Sequence, residues 1–450
     1  METNFLKKVF GNSAWMIASK AINMIIGFAI SVCVTRYLGA EQKGAMADAQ
    51  AIAGFFSFIA SFGLLDILIT KFSENENESA EIAVTAFIIQ FVSGLVAFVL
   101  SIFTAKILDV SKNVLLYVAI DSSVYLFHCL SVYEYWFYSK SISKYYAITQ
   151  SIIHILFLFL RFFGIVLKAD LLYFVVATAS ETIIIYLSLL LCYKKAKVPF
   201  VGKLFFSTKV AKDIIKLALP MLAMGFATTI YMKVDQIMIG KMLGNAELGY
   251  YSVAVTLSEY WYFIPATIYS SFLPFLTNEI NNNEIYKERL QKFTDLLVFI
   301  SYLAVFAVLL FGRLSINTLY GNEFNVSADI LIIYIWSGVF TCLSYSGQAY
   351  YITHKDTKTV MWLNIIGASL NFILNIILIY HLGNIGAALA TLLEYIALAF
   401  GQMVVLRKKY RELYAIQLRA FFPFIRMWKY GKMLIKQSRV KQDNNDNLKK

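Results

Sequence analysis

The sequence predicts an all-α polytopic membrane protein of about 12 transmembrane helices in two parallel six-helix halves, and three observations lead there. Hydrophobic residues make up 59% of the chain and charged residues 15%, with a mean hydropathy of +0.65, a balance outside the range of soluble folds. Apolar runs long enough to cross a hydrocarbon core recur from end to end, without the strict alternation of a membrane β-barrel. The chain also repeats itself: Arg36-Tyr37-Leu38-Gly39 followed by Gly44 returns as Lys241-Met242-Leu243-Gly244 followed by Gly249, at an offset of 205.

The apolar runs place spans near 13–37, 45–70, 81–106, 114–138, 145–167, 171–193, 217–240, 247–275, 293–311, 328–353, 359–381 and 384–406. The first is too long for a signal-peptide core and has no clear cleavage site, so it counts as a span. The seventh and eighth form a hairpin from Leu219 to Pro274 that carries Lys233, Asp235 and Glu259 inside its apolar runs, which marks it for more than anchoring. Between the sixth and seventh lies the most basic connection, so the chain divides into an N-terminal half (1–193), a cytoplasmic linker (194–216), a C-terminal half (217–406) and a basic tail (407–450). Two further echoes support the division. Ala177-Thr178 with Glu181 matches Ala390-Thr391 with Glu394, and Ser143-Lys144 matches Thr357-Lys358. Six spans per half is an even number, so both halves start on the same side and their repeat axis runs along the membrane normal. In the tail, Phe421-Phe422-Pro423-Phe424-Ile425 and Trp428 interrupt the lysines, as expected of an interfacial helix on anionic lipid, and disorder is expected from Gln442 onward.

Of the 40 Lys and Arg residues, 30 fall in segments on the side of the termini, 7 on the opposite side and 3 inside spans. By the positive-inside rule both termini are cytoplasmic. The net charge of +12 is therefore a topology signal, and no nucleic-acid motif accompanies it. The acidic patch Glu74 to Glu78 reads as a solvated turn.

A charge at mid-bilayer costs about 2.5–3.5 kcal/mol on insertion scales, so the few intramembrane charges are the functional candidates. Glu181 and Glu394 each lie ten residues into their spans, about 15 Å deep at about 1.5 Å per residue, and Glu259 lies twelve residues in. Lys20 sits in the inner third of the first span, Lys233 and Asp235 in the outer third of the seventh, and Arg161 near the outer end of the fifth, where it can snorkel. Asn364, Asn371 and Asn375 read as interhelical hydrogen-bonding groups. The four cysteines, Cys33, Cys129, Cys192 and Cys342, lie in or beside apolar runs and read as packing residues. The four histidines show no metal spacing, and no phosphate loop, zinc pattern or nucleophile elbow occurs, so no metal, no cofactor and no enzymatic role are expected.

The block Val234-Asp235-Gln236-Ile237-Met238-Ile239-Gly240, with Leu243-Gly244, Glu247-Leu248-Gly249-Tyr250-Tyr251-Ser252, Ser258-Glu259, Phe263-Ile264-Pro265 and Leu273-Pro274, resembles the seventh and eighth helices of polysaccharide flippases of the Wzx type. Gly383-Asn384-Ile385-Gly386-Ala387-Ala388-Leu389-Ala390-Thr391 looks like the start of their twelfth helix. The superfamily, which also holds multidrug exporters, shares a six-plus-six plan known as the MATE-like or MOP fold. The resemblance implies export of an undecaprenyl-pyrophosphate-linked oligosaccharide to the outer leaflet of the bacterial cytoplasmic (inner) membrane, for O-antigen or capsule synthesis. The route would be alternating access around a cavity lined by helices one, two, seven and eight. It also implies membrane lipids, a polysaccharide polymerase and a chain-length regulator as partners. A pyrophosphate carries about two negative charges, so cavity cations are what such a cargo requires. Lys20 and Lys233 fit that role, with Arg161 as a third substrate-binding candidate, although no cation in the first half aligns with Lys233: the 205 offset lands on Phe28. Glu259 is the first candidate for ion coupling and Asp235 the second. Glu181 and Glu394 read as structural, since helices six and twelve should lie away from the cavity. Two alternatives stand: a cation-coupled drug exporter of the same fold and, further off, a membrane polysaccharide polymerase or ligase. The latter needs a larger outer loop than the one around Gly312 to Ser327.

Overall fold

The computed structural model describes residues 2–142, 144–405, 409–430 and 432, and the side chains of residues 2–23, 25, 145, 231, 357 and 401–405 lie outside the description. The tail from Gln442 onward, expected to be disordered, also lies outside the described residues. All regular elements among those described are helical. In order they are α1 (Glu2–Gly54), α2 (Ser57–Ser61), α3 (Leu65–Glu74), α4 (Ser79–Ile107), α5 (Lys112–Ser122), α6 (Ser131–Ser139), α7 (Lys144–Val166), α8 (Leu171–Ala196), α9 (Thr208–Leu243) and α10 (Asn245–Glu259). They continue with α11 (Phe263–Asn278), α12 (Asn283–Leu319), α13 (Asn325–Tyr334), α14 (Ser337–Thr353), α15 (Thr357–Val405) and α16 (Arg411–Ala420). Eight helices among the described residues are long and apolar enough to cross a membrane, or nine with one bent pair taken as a single span. The chain is thus a multi-pass, all-α membrane protein. Both α1 and α15 are two helices joined at a glycine that leaves helical geometry, Gly39 (φ 71, ψ 177) and Gly383 (φ 57, ψ −139). At such positive φ only glycine is free of strain, so these two residues mark the breaks between the expected spans 13–37 and 45–70 and between 359–381 and 384–406.

Two compact units result. The first comprises residues 1–252 with 318–324, the second 253–317 with 325–450.

In the first unit the repeated motif packs against its own copy. Gly39 and Gly244 adopt nearly the same conformation, with φ 71 and ψ 177 against φ 95 and ψ 176. A Cβ added at Gly44 would stand 1.6 Å from the carbonyl oxygen of Asn245, and one at Gly249 would stand 2.1 Å from that of Ala40. Each later glycine therefore receives the residue that follows the earlier glycine of the other copy, a reciprocal crossing. The motif's cations are used symmetrically too. Arg36 donates to the Thr318 carbonyl near the end of α12 (3.2 Å), and Lys241 donates to the Leu108 carbonyl just past the end of α4 (2.5 Å). Both satisfy carbonyls that a helix C-terminus leaves without an internal partner, and both place positive charge at the negative end of the helix dipole.

The basic connection between α8 and α9 is docked on this unit. Phe200 stacks on Tyr193 (centroids 5.1 Å apart) and on Phe72 (5.9 Å), with Trp136 at 5.0 Å. Val198 accepts a hydrogen bond from the Trp136 indole (2.9 Å), and the Val201 amide donates to Ser79 Oγ (2.7 Å). Ser207 then caps α9 by accepting from the Val210 amide (3.4 Å). An apolar anchor inside a lysine-rich stretch is what holds the segment in place.

In the second unit, α16 buries Leu413, Tyr414 and Ile416, and Arg426 grips the fully buried Asp295 of α12 through two bonds of 2.7 and 2.8 Å. Phe421 stacks on Phe400 and Phe424 on Tyr302. The aromatic segment expected to be interfacial thus turns one face into the protein. Phe422, Ile425 and Trp428, exposed by 78%, 71% and 66%, form the other face and keep the apolar surface an interfacial segment needs. Among the cysteines, Cys129, Cys192 and Cys342 are buried and Cys33 is exposed; none forms a disulfide.

Candidate functional site

Lys233 lies on α9 with its Cε 3.3 Å from where a Cβ of Gly54, the last residue of α1, would stand. A side chain at position 54 would displace it, so glycine there makes the lysine's place. Its charge acts on Lys43, which sits after the bend in α1, and the two ammonium groups oppose one another. Neither forms an ion pair among the described residues. Two cations that act on one another, partly withdrawn from water, are costly, and although the Lys233 charge also acts on the buried Asp235, an anion joining the two lysines would offset their repulsion. Lys43 also lines a cavity of about 170 Å³ together with Ser31, Thr35, Gln50, Arg161 and Thr178.

Arg161 is 9% exposed and does not snorkel. Its guanidinium lies 2.5 Å from Glu181 Oε2 on the neighbouring α8 and donates to Thr178 Oγ1 (3.3 Å), while the other oxygen of Glu181 meets His154 Nδ1. The expected structural hydrogen bond of Glu181 is therefore an ion-paired cluster, and the Arg161 charge is already matched. Glu394, its counterpart in the repeat, keeps the position but not the partners. It is 1% exposed, its Oε1 lies 2.7 Å from a Cβ added at Gly367, and its Oε2 has no hydrogen-bond partner among the described residues. Asn371 and Asn375 bond to one another across one turn (2.9 Å), so this pair binds within its own helix. Lys20 falls within α1, and its side chain lies outside the described residues.

The carboxylates singled out for coupling occupy different settings. Asp235 is 5% exposed and accepts from the Tyr251 hydroxyl (2.5 Å) and from the Gln236 amide (2.7 Å). It faces α10 while Lys233 faces Gly54, as a two-residue spacing on a helix requires. Glu259, in the second unit, is the last residue of α10, and its Oε1 accepts from the Tyr334 hydroxyl (2.9 Å). Here two helices break side by side. Tight turns at Tyr260–Tyr262 and Ile335–Trp336 separate α10 from α11 and α13 from α14, and Tyr262 Oη meets Ser337 Oγ at 3.3 Å. Pro265 fits the first break, since without an N–H it cannot donate back to the Trp261 carbonyl and carry α10 on into α11. Interrupted helices supply free backbone groups and a carboxylate at one level, the arrangement by which membrane proteins hold ions. Among the described residues no three His, Cys, Asp or Glu side chains converge as metal ligands.

Sequence reasoning missed Lys43, which falls between the first and second expected spans and is one of the seven cations counted on the side opposite the termini. The signal was present in Gly44-Ala45 and Ala47 directly after it, a small-residue run that lets helices approach closely and draws the preceding lysine inward.

The family described as polysaccharide biosynthesis protein matches residues 9–278, more than half of the chain. The chain belongs to that family. The MatE family matches residues 220–377 of this family member. Its fold is similar to that of the lipid II flippase MurJ in an inward closed conformation, with a TM-score of 0.67 and 18% identity over 92% of each chain. It is likewise similar to a multidrug resistance MATE family transporter of the MOP superfamily in an inward-facing conformation. There the TM-score is 0.72 and the identity 13%, over 87% of this chain and 95% of the other. A MOP superfamily transporter from Pyrococcus furiosus Vc1 follows at a TM-score of 0.59 and 14% identity, over 90% and 96%. No curated protein matches the chain significantly. The expected MOP fold is borne out.

Proposed function

We propose that this protein is a flippase that moves an undecaprenyl-pyrophosphate-linked oligosaccharide from the cytoplasmic to the outer leaflet, by alternating access of its two halves, to supply O-antigen or capsule synthesis. The observation that carries the reading is the pair Lys43 and Lys233, whose charges oppose one another and neither of which forms an ion pair among the described residues. A diphosphate bridging them would relieve their repulsion and gain charge-assisted hydrogen bonds from both. Lys20 is the third cation of the set. Arg161, matched by Glu181, shapes the neighbouring cavity instead of gripping the cargo. In this reading the termini and the segment 194–216 face the cytoplasm of a bacterium, and a polymerase and a chain-length regulator act downstream.

The second reading, a cation-coupled drug exporter, draws on the MatE match over residues 220–377. A cationic drug is repelled by an unpaired lysine pair, which ranks it below the anionic cargo.

No nucleotide-binding motif supplies energy, so directional flipping requires an ion gradient. Glu259, at the paired helix breaks, is the first carrier and Asp235 the second. In proteoliposomes loaded with a labelled lipid pyrophosphate glycan, an imposed proton or sodium gradient is expected to accelerate outward flipping severalfold. Glu259→Gln is expected to abolish the acceleration and leave the slow basal rate. A variant that still responds like the parent moves the carrier elsewhere, and a parent that flips no pyrophosphate lipid under any gradient refutes the function.

A further inference from the structure

We propose that the connection between α8 and α9 is a docking surface for an anionic lipid bilayer, with the apolar side chains from Val201 to Phe206 set among the headgroups and the flanking lysines on the lipid phosphates. This surface does not depend on what cargo the protein carries. Its neighbours, Leu171–Ala196 and Thr208–Ile230, are each long and apolar enough to cross a membrane, so the residues between them lie at a membrane surface. Phe200 turns into the protein, but the residues after it do not. Leu204 is 75% exposed, and Val201, Phe205 and Phe206 are exposed with it. Such a cluster of large apolar side chains is unfavourable in water, and a bilayer boundary next to it removes the cost.

The backbone holds this face out. The Val201 carbonyl accepts from the Ala80 amide (2.9 Å) and the Ser207 amide donates to Thr85 Oγ1 (3.1 Å), so both ends of the exposed stretch are fixed on α4. Gly202 turns between them at φ 103, where an added Cβ would stand 2.7 Å from the Asn77 carbonyl oxygen. A stretch fixed in this way loses little conformational freedom on docking. Because it is not helical, its backbone polar groups bar it from the hydrocarbon core, and the depth is that of the headgroups. The charge selects the lipid. Seven lysines from Lys194 to Lys216 stand against one carboxylate, Asp213, and all seven are exposed. None of them forms an ion pair among the described residues. The acidic turn Glu74 to Glu78 lies beside Gly202, yet its one ion pair there joins Glu76 to Lys140 (2.5 Å), outside the connection. Exposed lysines around an apolar stretch at a bilayer surface are complementary to anionic headgroups.

The test places a bimane fluorophore on Leu204→Cys in the full-length protein, with Cys33→Ser removing the exposed native thiol. The labelled protein is put into nanodiscs of phosphatidylcholine with or without phosphatidylglycerol. A lipid carrying a doxyl quencher near its headgroup is expected to quench the label more than one carrying it deep in the chain. The neutral aqueous quencher acrylamide is expected to act severalfold less in the anionic bilayer than in pure phosphatidylcholine. Replacing Lys194, Lys195, Lys197 and Lys203 together by Gln is expected to abolish that difference between bilayers. These four are exposed and form no ion pair, so the variant is expected to melt with the parent in detergent. Three results overturn the proposal: strong acrylamide quenching with none from either doxyl lipid, which makes the stretch a solvated linker; protection from both kinds of quencher, which means protein covers it; and quenching that is the same in both bilayers or unchanged by the lysine variant, which removes the anionic lipid.

Discussion

Gly44→Ala and Gly249→Ala are expected to lower the melting temperature of the purified protein more than any other Gly→Ala change in the first unit. The added Cβ at 249 would stand 2.1 Å from the Ala40 carbonyl oxygen, and at 44 it would stand 1.6 Å from that of Asn245. Both obstacles are backbone, so no rotamer change clears them and the two strands of the crossing must move apart. Overpacking of this kind costs about 1–3 kcal/mol, and more where the backbone itself must shift. The separation also breaks the bond from the Ala40 amide to Glu323 Oε1 (2.8 Å), which ties 318–324 into the unit. Gly27→Ala is the control, since nothing lies within 4 Å of its added Cβ. Thermal unfolding in detergent measures all three. A Gly249→Ala protein that melts with the parent would mean the reciprocal crossing is not a close contact.

Lys233→Glu is expected to abolish export of surface glycan in cells, while the protein accumulates in the membrane at the parental level. Charge reversal turns the lysine pair into an internal ion pair with Lys43, so the anion's place is taken by the protein's own carboxylate. Folding is spared because Lys233 is only partly buried and forms no ion pair whose loss would strand a partner. Lys233→Arg keeps the charge and is expected to retain measurable export. Normal surface glycan with Lys233→Glu would remove the residue from the cargo site.

The helical architecture was legible because hydropathy and the positions of glycine act locally. Gly39, Gly44, Gly244 and Gly249 announce themselves in one sequence, since a positive φ and a close backbone approach both exclude other residues. Their partnership was not legible: equal spacing shows duplication, whereas the crossing of one copy on the other is a tertiary fact. Arg161 and Glu181 illustrate the same limit. Each was visible as an intramembrane charge, but depth along separate spans does not say which faces turn toward each other, and Arg161 was read as an end-of-helix cation. Phe200 was hidden in the opposite way, since seven cations between Lys194 and Lys216 gave the segment the composition of a solvated linker while one aromatic side chain docks it.

The most direct measurement is the affinity of the purified protein for undecaprenyl pyrophosphate compared with undecaprenol, the same chain without the diphosphate. The two lipids share every apolar contact, so their difference isolates the headgroup. The account predicts that the pyrophosphate binds about tenfold tighter or more, each decade being about 1.4 kcal/mol, and that the Lys43→Gln, Lys233→Gln double variant binds both lipids alike. Equal affinities in the parent protein would contradict it.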